Sequence, residues 1–538
     1  MYKQMFTLLL AVAFLSISSP SFAQVDYTAN DQVKPFGGDF GMGVNTGYYE
    51  GWNDFDLADL IGGNRKLKIE GVGGNTARLA LTEKVLEDDR WDYDIKVGSY
   101  KHFKQRDVND HIVFVGYPSD AHRDKTTYDG KRSELFSNLY EPIWDGGKNG
   151  TPYNDDNYYA AYLYKTVSIY KDYIKTWEIW NEPDLTSSRS AYARTGQSGS
   201  WWDVNPNPAD IAITAPIQHY VRMLRISWEV VKTVDPNAYV AIGGIGYPSF
   251  LDAVLRNTDN PKDGNVTDDY PLGGGAYFDV LSYHVYPHMD NSIRKWNNKK
   301  GDFDYTRTSD AALKGVFTRK NDLNEVLVKR GYNGKKYPAK EWIISEYNVP
   351  RLPLQHNFGS DELQRNFLIK MVVEAQKQNI RQMHIYNLAD KIDESKATKA
   401  YDEINVMGLY KNVNIGRKYE QELTGLGKTF QAINKFLSGY SFDRETTAQL
   451  DQIPNVEGGV FKNRRGQRVF VLWAETTQDL SEKAAGQVDL SNIVKTSKLM
   501  TRQLFGKTTT TLSKASFVDA RKIQLSGEPS FYLTGASR

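Results

Sequence analysis

Short apolar runs recur along most of this chain, separated by longer stretches with a helical repeat. In Gly37 to Asn45, Phe40, Met42 and Val44 alternate with small or polar residues, which predicts a strand. Asn75 to Leu81 predicts a second. Arg78 lies inside it, a costly position for a guanidinium unless it is paired. His111 to Pro118 holds the continuous run Ile112-Val113-Phe114-Val115, as in a parallel strand covered on both faces. Further strands are predicted through Trp177 and Ile179, and at Tyr239 to Ile245, Phe278 to Tyr286, Glu341 to Tyr347 and Arg381 to Asn387. Helical spacing predicts helices at Asp54 to Ile61, Asp155 to Ile174, Pro216 to Lys232, Ala311 to Arg330, after a Ser360 cap, and at Leu423 to Leu437. In Pro216 to Lys232, the residues Tyr220, Val221, Leu224, Trp228 and Val231 share one face.

Eight strands alternating with helices predict an α/β fold, a parallel (β/α)₈ barrel. An open doubly wound sheet would want a Gly-rich phosphate turn after the first strand, and Gly41-Met42-Gly43 does not continue that way. From about Tyr440 the character changes. Short β-rich runs at Gly458 to Phe461, Arg468 to Trp473, Gln487 to Leu490, Lys498 to Phe505, Lys522 to Leu525 and Ser530 to Leu533 predict a small antiparallel β-sandwich. The expected division is a barrel over 24–438 and an accessory sandwich over 439–538, with 24–40 a candidate extra strand. The polar, Gly-rich stretches 145–156 and 257–275 are expected to be insertions.

Composition narrows the partners. Lys plus Arg is 67 and Asp plus Glu is 66, a net charge of 67 − 66 = +1, so there is no general attraction to nucleic acid or an anionic membrane. Residues 1–23 have the form of a cleavable export signal: Lys3, an apolar core from Met5 to Ile17, then Ser21-Phe22-Ala23 with Gln24 as the first mature residue. The expected location is secreted or periplasmic. There is no cysteine, which excludes a lipid-modified Cys, disulfides and thiolate metal sites. The 34 Tyr, 23 Phe and 11 Trp supply rings of the kind that stack on sugars.

The chemistry concentrates at two strand ends. Trp177-Glu178-Ile179-Trp180-Asn181-Glu182-Pro183 stops at a proline that cannot continue a ladder. Glu341-Trp342-Ile343-Ile344-Ser345-Glu346-Tyr347 also ends in a glutamate. On the strand count these are strands four and seven, which lie across a barrel mouth from each other. Barrel enzymes place their chemistry at that end. Two facing carboxyls suit glycosidic bond cleavage, in which one protonates the leaving oxygen while the other attacks or activates water. Other chemistries find little support. No phosphate loop, His-Glu-x-x-His or Gly-x-Ser-x-Gly occurs, so no cofactor or metal is expected.

Trp180-Asn181-Glu182-Pro183, His284-Val285-Tyr286 and Ile344-Ser345-Glu346-Tyr347 together resemble the clan A glycoside hydrolases over about residues 41–437. The β-xylosidase/iduronidase and β-agarase/porphyranase types also carry a similar accessory β domain. The resemblance implies a retaining (β/α)₈ enzyme with Glu182 as acid/base, its pKa raised, and Glu346 as an ionised nucleophile. It implies that Asn181 binds the sugar 2-hydroxyl, that Arg78 pairs near Glu346 and depresses its pKa, and that Tyr286 and His284 orient Glu346. Arg78 would serve equally as a structural pair, and His284 as a core histidine. Where many of these enzymes have a Trp at the end of strand eight, this chain reads Met383-His384-Ile385-Tyr386-Asn387. Either Tyr386 substitutes or the floor of the sugar site is built differently.

Trp201 and Trp202, in the loop after strand four, are expected to form a stacking platform or else a plug under that loop. Basic runs follow strand three (His122, Arg123, Lys125, Lys131, Arg132) and strand six (Arg294, Lys295, Lys299, Lys300). If both edge the cleft, they suit an acidic or sulfated polysaccharide. The expected activity is hydrolysis of a plant or algal polysaccharide, a sulfated galactan such as agar or porphyran being one candidate. Exo cleavage of oligosaccharides, as by a xylosidase, and a non-catalytic carbohydrate binder on a barrel scaffold are the alternatives.

Overall fold

Eight parallel strands close on one another in chain order. They are β1 (Gly41–Asn45), β2 (Thr76–Ala80), β3 (His111–Val115), β4 (Ile174–Ile179), β5 (Tyr239–Ile242), β6 (Val280–Val285), β7 (Glu341–Tyr347) and β8 (Ile380–Ile385). β1 pairs with both β2 and β8, which completes the (β/α)₈ barrel. The structure is a computed structural model that describes residues 25–290, 292–494, 498–503 and 516–534. The expected export signal lies outside those residues, as does the end of the strand expected at Lys498 to Phe505.

The strands are buried on both sides because helices cover the outside and side chains fill the inside. Trp177 and Ile179 of β4 are fully buried. The helix Ile217–Val234 turns Tyr220, Val221, Leu224, Trp228 and Val231 into that same core. Helix starts follow local chemistry. Asn53 forms a capping box with Asp56 at the helix Asp54–Gly62, and the Ser360 hydroxyl accepts from the Leu363 N–H at 3.1 Å, starting Asp361–Lys377.

The last helix before the change of character is Gly425–Phe436. Eight short strands follow: β9 (Tyr440–Phe442), β10 (Glu457–Asn463), β11 (Arg468–Trp473), β12 (Ala485–Val488), β13 (Lys498–Gln503), β14 (Ser516–Asp519), β15 (Ile523–Ser526) and β16 (Ser530–Leu533). They form a six-stranded antiparallel sheet in the order β9-β10-β11-β16-β13-β14 and a two-stranded one, β12-β15. Residues 25–40 contain turns and no strand, so the N-terminal stretch adds nothing to these sheets. It runs along the barrel instead, with the Ala29 N–H on Ala276 O at 2.8 Å and the Phe36 ring over the Arg381 guanidinium.

One irregularity positions chemistry. β7 pairs Ile344 with Tyr283 but Glu346 with His284, so Ser345 is an extra residue. Such a bulge breaks the two-residue alternation. Here it lets both Ser345 and Glu346 reach groups inside the barrel: Ser345 Oγ lies 2.6 Å from Ser282 Oγ, and Glu346 meets Arg78.

Candidate active site

The site grows from Arg78, which is 4% exposed in the middle of β2. Its guanidinium is fully used. Nε donates to Glu178 Oε2 at 2.7 Å, Nη1 to Glu346 Oε1 at 2.6 Å and to Asn45 Oδ1 at 3.2 Å, and Nη2 to Asn181 Oδ1 at 2.7 Å. Burial pushes its pKa down, but Glu178 and Glu346 outweigh that and hold it above its ordinary value. One buried cation thus ties together residues from β1, β2, β4 and β7 and the loop after β4. Glu178 is the partner that Arg78 required. It is fully buried on the barrel-facing side of β4, and Ser282 Oγ donates to its second oxygen at 2.6 Å. The alternation that sends Trp177 and Ile179 outward sends Glu178 inward. The signal was legible in a carboxylate flanked by core residues on a strand that must sit near Arg78.

Glu346 accepts from Arg78 on one oxygen and from the Tyr286 hydroxyl on the other, at 2.7 Å. Glu182 sits three residues beyond β4, at positive φ (51°), as does Trp180 (76°). Non-glycine residues rarely adopt that conformation, and it is held by neighbours. The buried Trp180 ring stacks on Tyr117 at 4.1 Å and 17°, and the Tyr117 hydroxyl donates to Asn181 O at 3.2 Å. Pro183 and the buried Asp184 follow, and Asp184 Oδ2 accepts the N–H groups of Gly246 and Tyr247, each at 2.8 Å. Burial pushes the Asp184 carboxyl up to about 7.

Glu182, His284 and Glu346 converge so closely that one candidate ligand atom of each lies within 4.8 Å of the others. The His284 Nδ1 is 2.7 Å from Glu182 Oε1 and 3.8 Å from Glu346 Oε2. Burial opposes a charge on His284, but Glu346 and Glu182 outweigh it and raise its pKa above 6.5. Burial raises Glu182 as well, yet the His284 hydrogen bond, its charge and Arg78 bring the carboxyl below the ordinary value. The raised pKa expected of Glu182 is therefore absent here: the contact with His284 favours its carboxylate form. His284 contacts Glu182 more closely than Glu346, and Tyr286 is the residue bonded to Glu346. The trio resembles a metal ligand set, but both Glu346 oxygens already accept hydrogen bonds and Arg78 supplies the positive charge.

Other expected residues lie elsewhere. Trp201 is 1% exposed and packs against Tyr247 and Phe250, so it is the plug and not a platform. Trp202 is half-buried, with Nε1 donating to Ala193 O at 2.9 Å. The exposed ring of this loop is Tyr192, whose hydroxyl lies 2.6 Å from that of Tyr247. Tyr386 is half-buried at the end of β8, edge-on to Tyr286 at 6.1 Å. Four residues of the basic run after β3 have partners. His122 meets Glu83 at 2.7 Å, Arg123 meets Glu134 at 2.6 Å, and Arg132 and Lys131 donate to the carbonyls of Asp124 and Ala209.

No protein-family model and no curated relative matches the sequence. Solved structures share the fold. A family 39 glycoside hydrolase from the gut symbiont Bacteroides cellulosilyticus WH2 is similar at a TM-score of 0.55 and 13% identity, over 92% of this chain and 81% of that one. A conserved exported protein from Bacteroides fragilis is similar at a TM-score of 0.51 and 11% identity, over 95% of this chain and 99% of that one. At such identities the likeness is one of architecture: this chain shares their fold, an eight-stranded parallel barrel followed here by small antiparallel sheets.

Proposed function

We propose that this chain is an exported retaining β-glycoside hydrolase that cleaves a plant or algal polysaccharide by double displacement. The observation that carries the reading is the approach of a Glu182 oxygen and a Glu346 oxygen to within 4.8 Å. Retaining enzymes hold their carboxyls about 5–5.5 Å apart, whereas inverting ones leave about 6.5–9.5 Å for a water. A carbohydrate binder would have no use for two carboxylates so close, wired to a buried arginine and a histidine.

In the first step a Glu346 oxygen attacks the anomeric carbon as the glycosidic C–O bond breaks, and the leaving oxygen takes a proton from Glu182. The Glu182–His284 pair holds that proton. It rests on Nδ1 and crosses the 2.7 Å contact to Glu182 as the leaving oxygen develops charge. His284 is then neutral beside a Glu346 that has become an ester. In the second step Glu182 takes a proton from water, the water oxygen bonds to the anomeric carbon, and Glu346 departs as a carboxylate. Asn181 presents its Oδ1 to Arg78, which leaves its amide N–H to bond the sugar 2-hydroxyl. Tyr286 and Arg78 hold Glu346 in line for attack.

The test is a screen of the protein from Gln24 onward against neutral, uronic and sulfated polysaccharides, with Glu346→Gln in parallel. New reducing ends on one glycan, absent with Glu346→Gln and formed with retained anomeric configuration, are expected. Cleavage that persists in Glu346→Gln, or inversion, would sink the assignment. Tight binding without cleavage by the parent protein would favour a binding protein.

A further inference from the structure

The loop after β6 carries a hairpin that this reaction does not use. Arg294–Asn297 pairs with Asp302–Tyr305, with Phe303 opposite Trp296 and Tyr305 opposite Arg294. Strand alternation puts these four side chains on one face. There the Arg294 guanidinium lies 4.4 Å from the Phe303 ring centre, and Trp296 meets Phe303 edge to face at 5.1 Å. Trp296 is nevertheless 52% exposed, so its ring is spent on no core. The face is joined to the mouth of the barrel. Arg294 Nη1 lies 3.2 Å from His356 Nε2 and Tyr305 lies 5.9 Å from the same ring, and His356 is in the loop after β7, ten residues beyond Glu346.

The hairpin is also braced. At its foot Arg307 donates to Asp479 from its backbone N–H at 2.7 Å, from Nε at 3.0 Å and from Nη2 at 2.5 Å. Asp479 belongs to the loop after β11, so the C-terminal β domain fixes the hairpin's position. Its charge is one-sided, with five basic residues against two acidic ones from 292 to 308. Lys300 pairs with Asp304, and Lys295 lies across from Asp304 on the face opposite Trp296, while Lys299 in the exposed turn forms no ion pair among the described residues.

We propose that this hairpin is a second carbohydrate-binding site, for an acidic polysaccharide. The Trp296–Phe303 face stacks on a sugar ring, and Lys299, in the turn between the two strands, meets its sulfate or carboxylate groups. The inference rests on the proposed function in taking the ligand to be the polymer that the two glutamates cleave. To test it, the full chain carrying Glu346→Gln is titrated with a sulfated galactan, a polyuronate and a neutral galactan of matched length. Binding to one of the acidic polymers is expected, and it falls as salt rises. Adding Trp296→Ala weakens it about tenfold, while Trp296→Phe keeps it within about threefold. Whichever acidic polymer binds distinguishes sulfate from carboxylate. Equal binding with and without Trp296, a preference for the neutral galactan, or binding to none of the three overturns the proposal. Hydrolysis that survives in Glu346→Gln, alongside Trp296-dependent binding, overturns the role of the glutamates and leaves the hairpin site standing.

Discussion

Glu182 and His284 meet at 2.7 Å, where two carboxylates favour the charged imidazole and burial opposes it. Two outcomes follow. Glu182→Gln removes the group that protonates the leaving oxygen, so kcat on a polysaccharide should fall by about 10²–10⁴. It should fall much less on an aryl glycoside whose phenolate leaves unaided. The second concerns pH. His284 is raised, so its contribution to stability is complete below about pH 6.5. That contribution is lost as pH rises through its folded value. Glu182 is lowered, so its contribution is present above 4.5 and lost as pH falls through its folded value. The pair therefore stabilises most between those limits, and thermal melts of His284→Asn against pH should lose that plateau. Burial then acts on Glu182 with less opposition, so its carboxyl titrates higher.

At the scale of elements, β5 and β6 are matched around that imidazole. Gly244 follows β5, and a Cβ there would lie 2.0 Å from His284 Nε2. The clash is with a ring, and the Gly244 backbone is not left-handed, so only the missing side chain matters. Gly244→Ala should push the ring off Glu182, cost about 1–3 kcal/mol and lower kcat, with melting temperature and kinetics as the readouts. Unchanged kinetics would mean that the His284–Glu182 contact does not serve the reaction. The β7 bulge works on the same scale. Without the extra Ser345, Glu346 would fall out of register with His284.

For the whole molecule, one face of the C-terminal β sheet joins the barrel's core, while Val460, Phe470, Leu472 and Ile523 form a second core of the β domain's own. Val469, Val471, Trp473 and Phe531 belong to the same buried cluster as the barrel helices. Asp310, at the start of the helix Ser309–Lys329, joins the two parts. It accepts from Trp473 Nε1 at 2.9 Å, from the Thr476 N–H and hydroxyl at 2.7 Å, and from Lys370 Nζ at 2.8 Å. Lys370 is fully buried. Asp310→Ala strands that charge and should cost about 3–5 kcal/mol, read as a lower denaturant midpoint. The parent chain should unfold in one transition, and two separate transitions would mean that the joined face does not couple the two parts.

The periodic pattern by itself determined the barrel. Eight apolar runs separated by helical repeats have few ways to bury both faces, and β7 and β11 begin and end where the pattern places them. Local chemistry likewise marked Glu182 and Glu346, because a proline stop and a terminal carboxylate are properties of neighbouring residues. Tertiary structure decided the rest, through contacts between residues far apart in sequence. It chose Glu178 as the partner of Arg78, 100 residues away, and lowered the Glu182 carboxyl through His284. It buried Trp201, deciding for the plug over the platform, and paired His122 and Arg123 of the run after β3 with Glu83 and Glu134. Exposure, ion pairing and proton affinity depend on what the folded chain brings alongside a group, and spacing along the sequence does not carry that information.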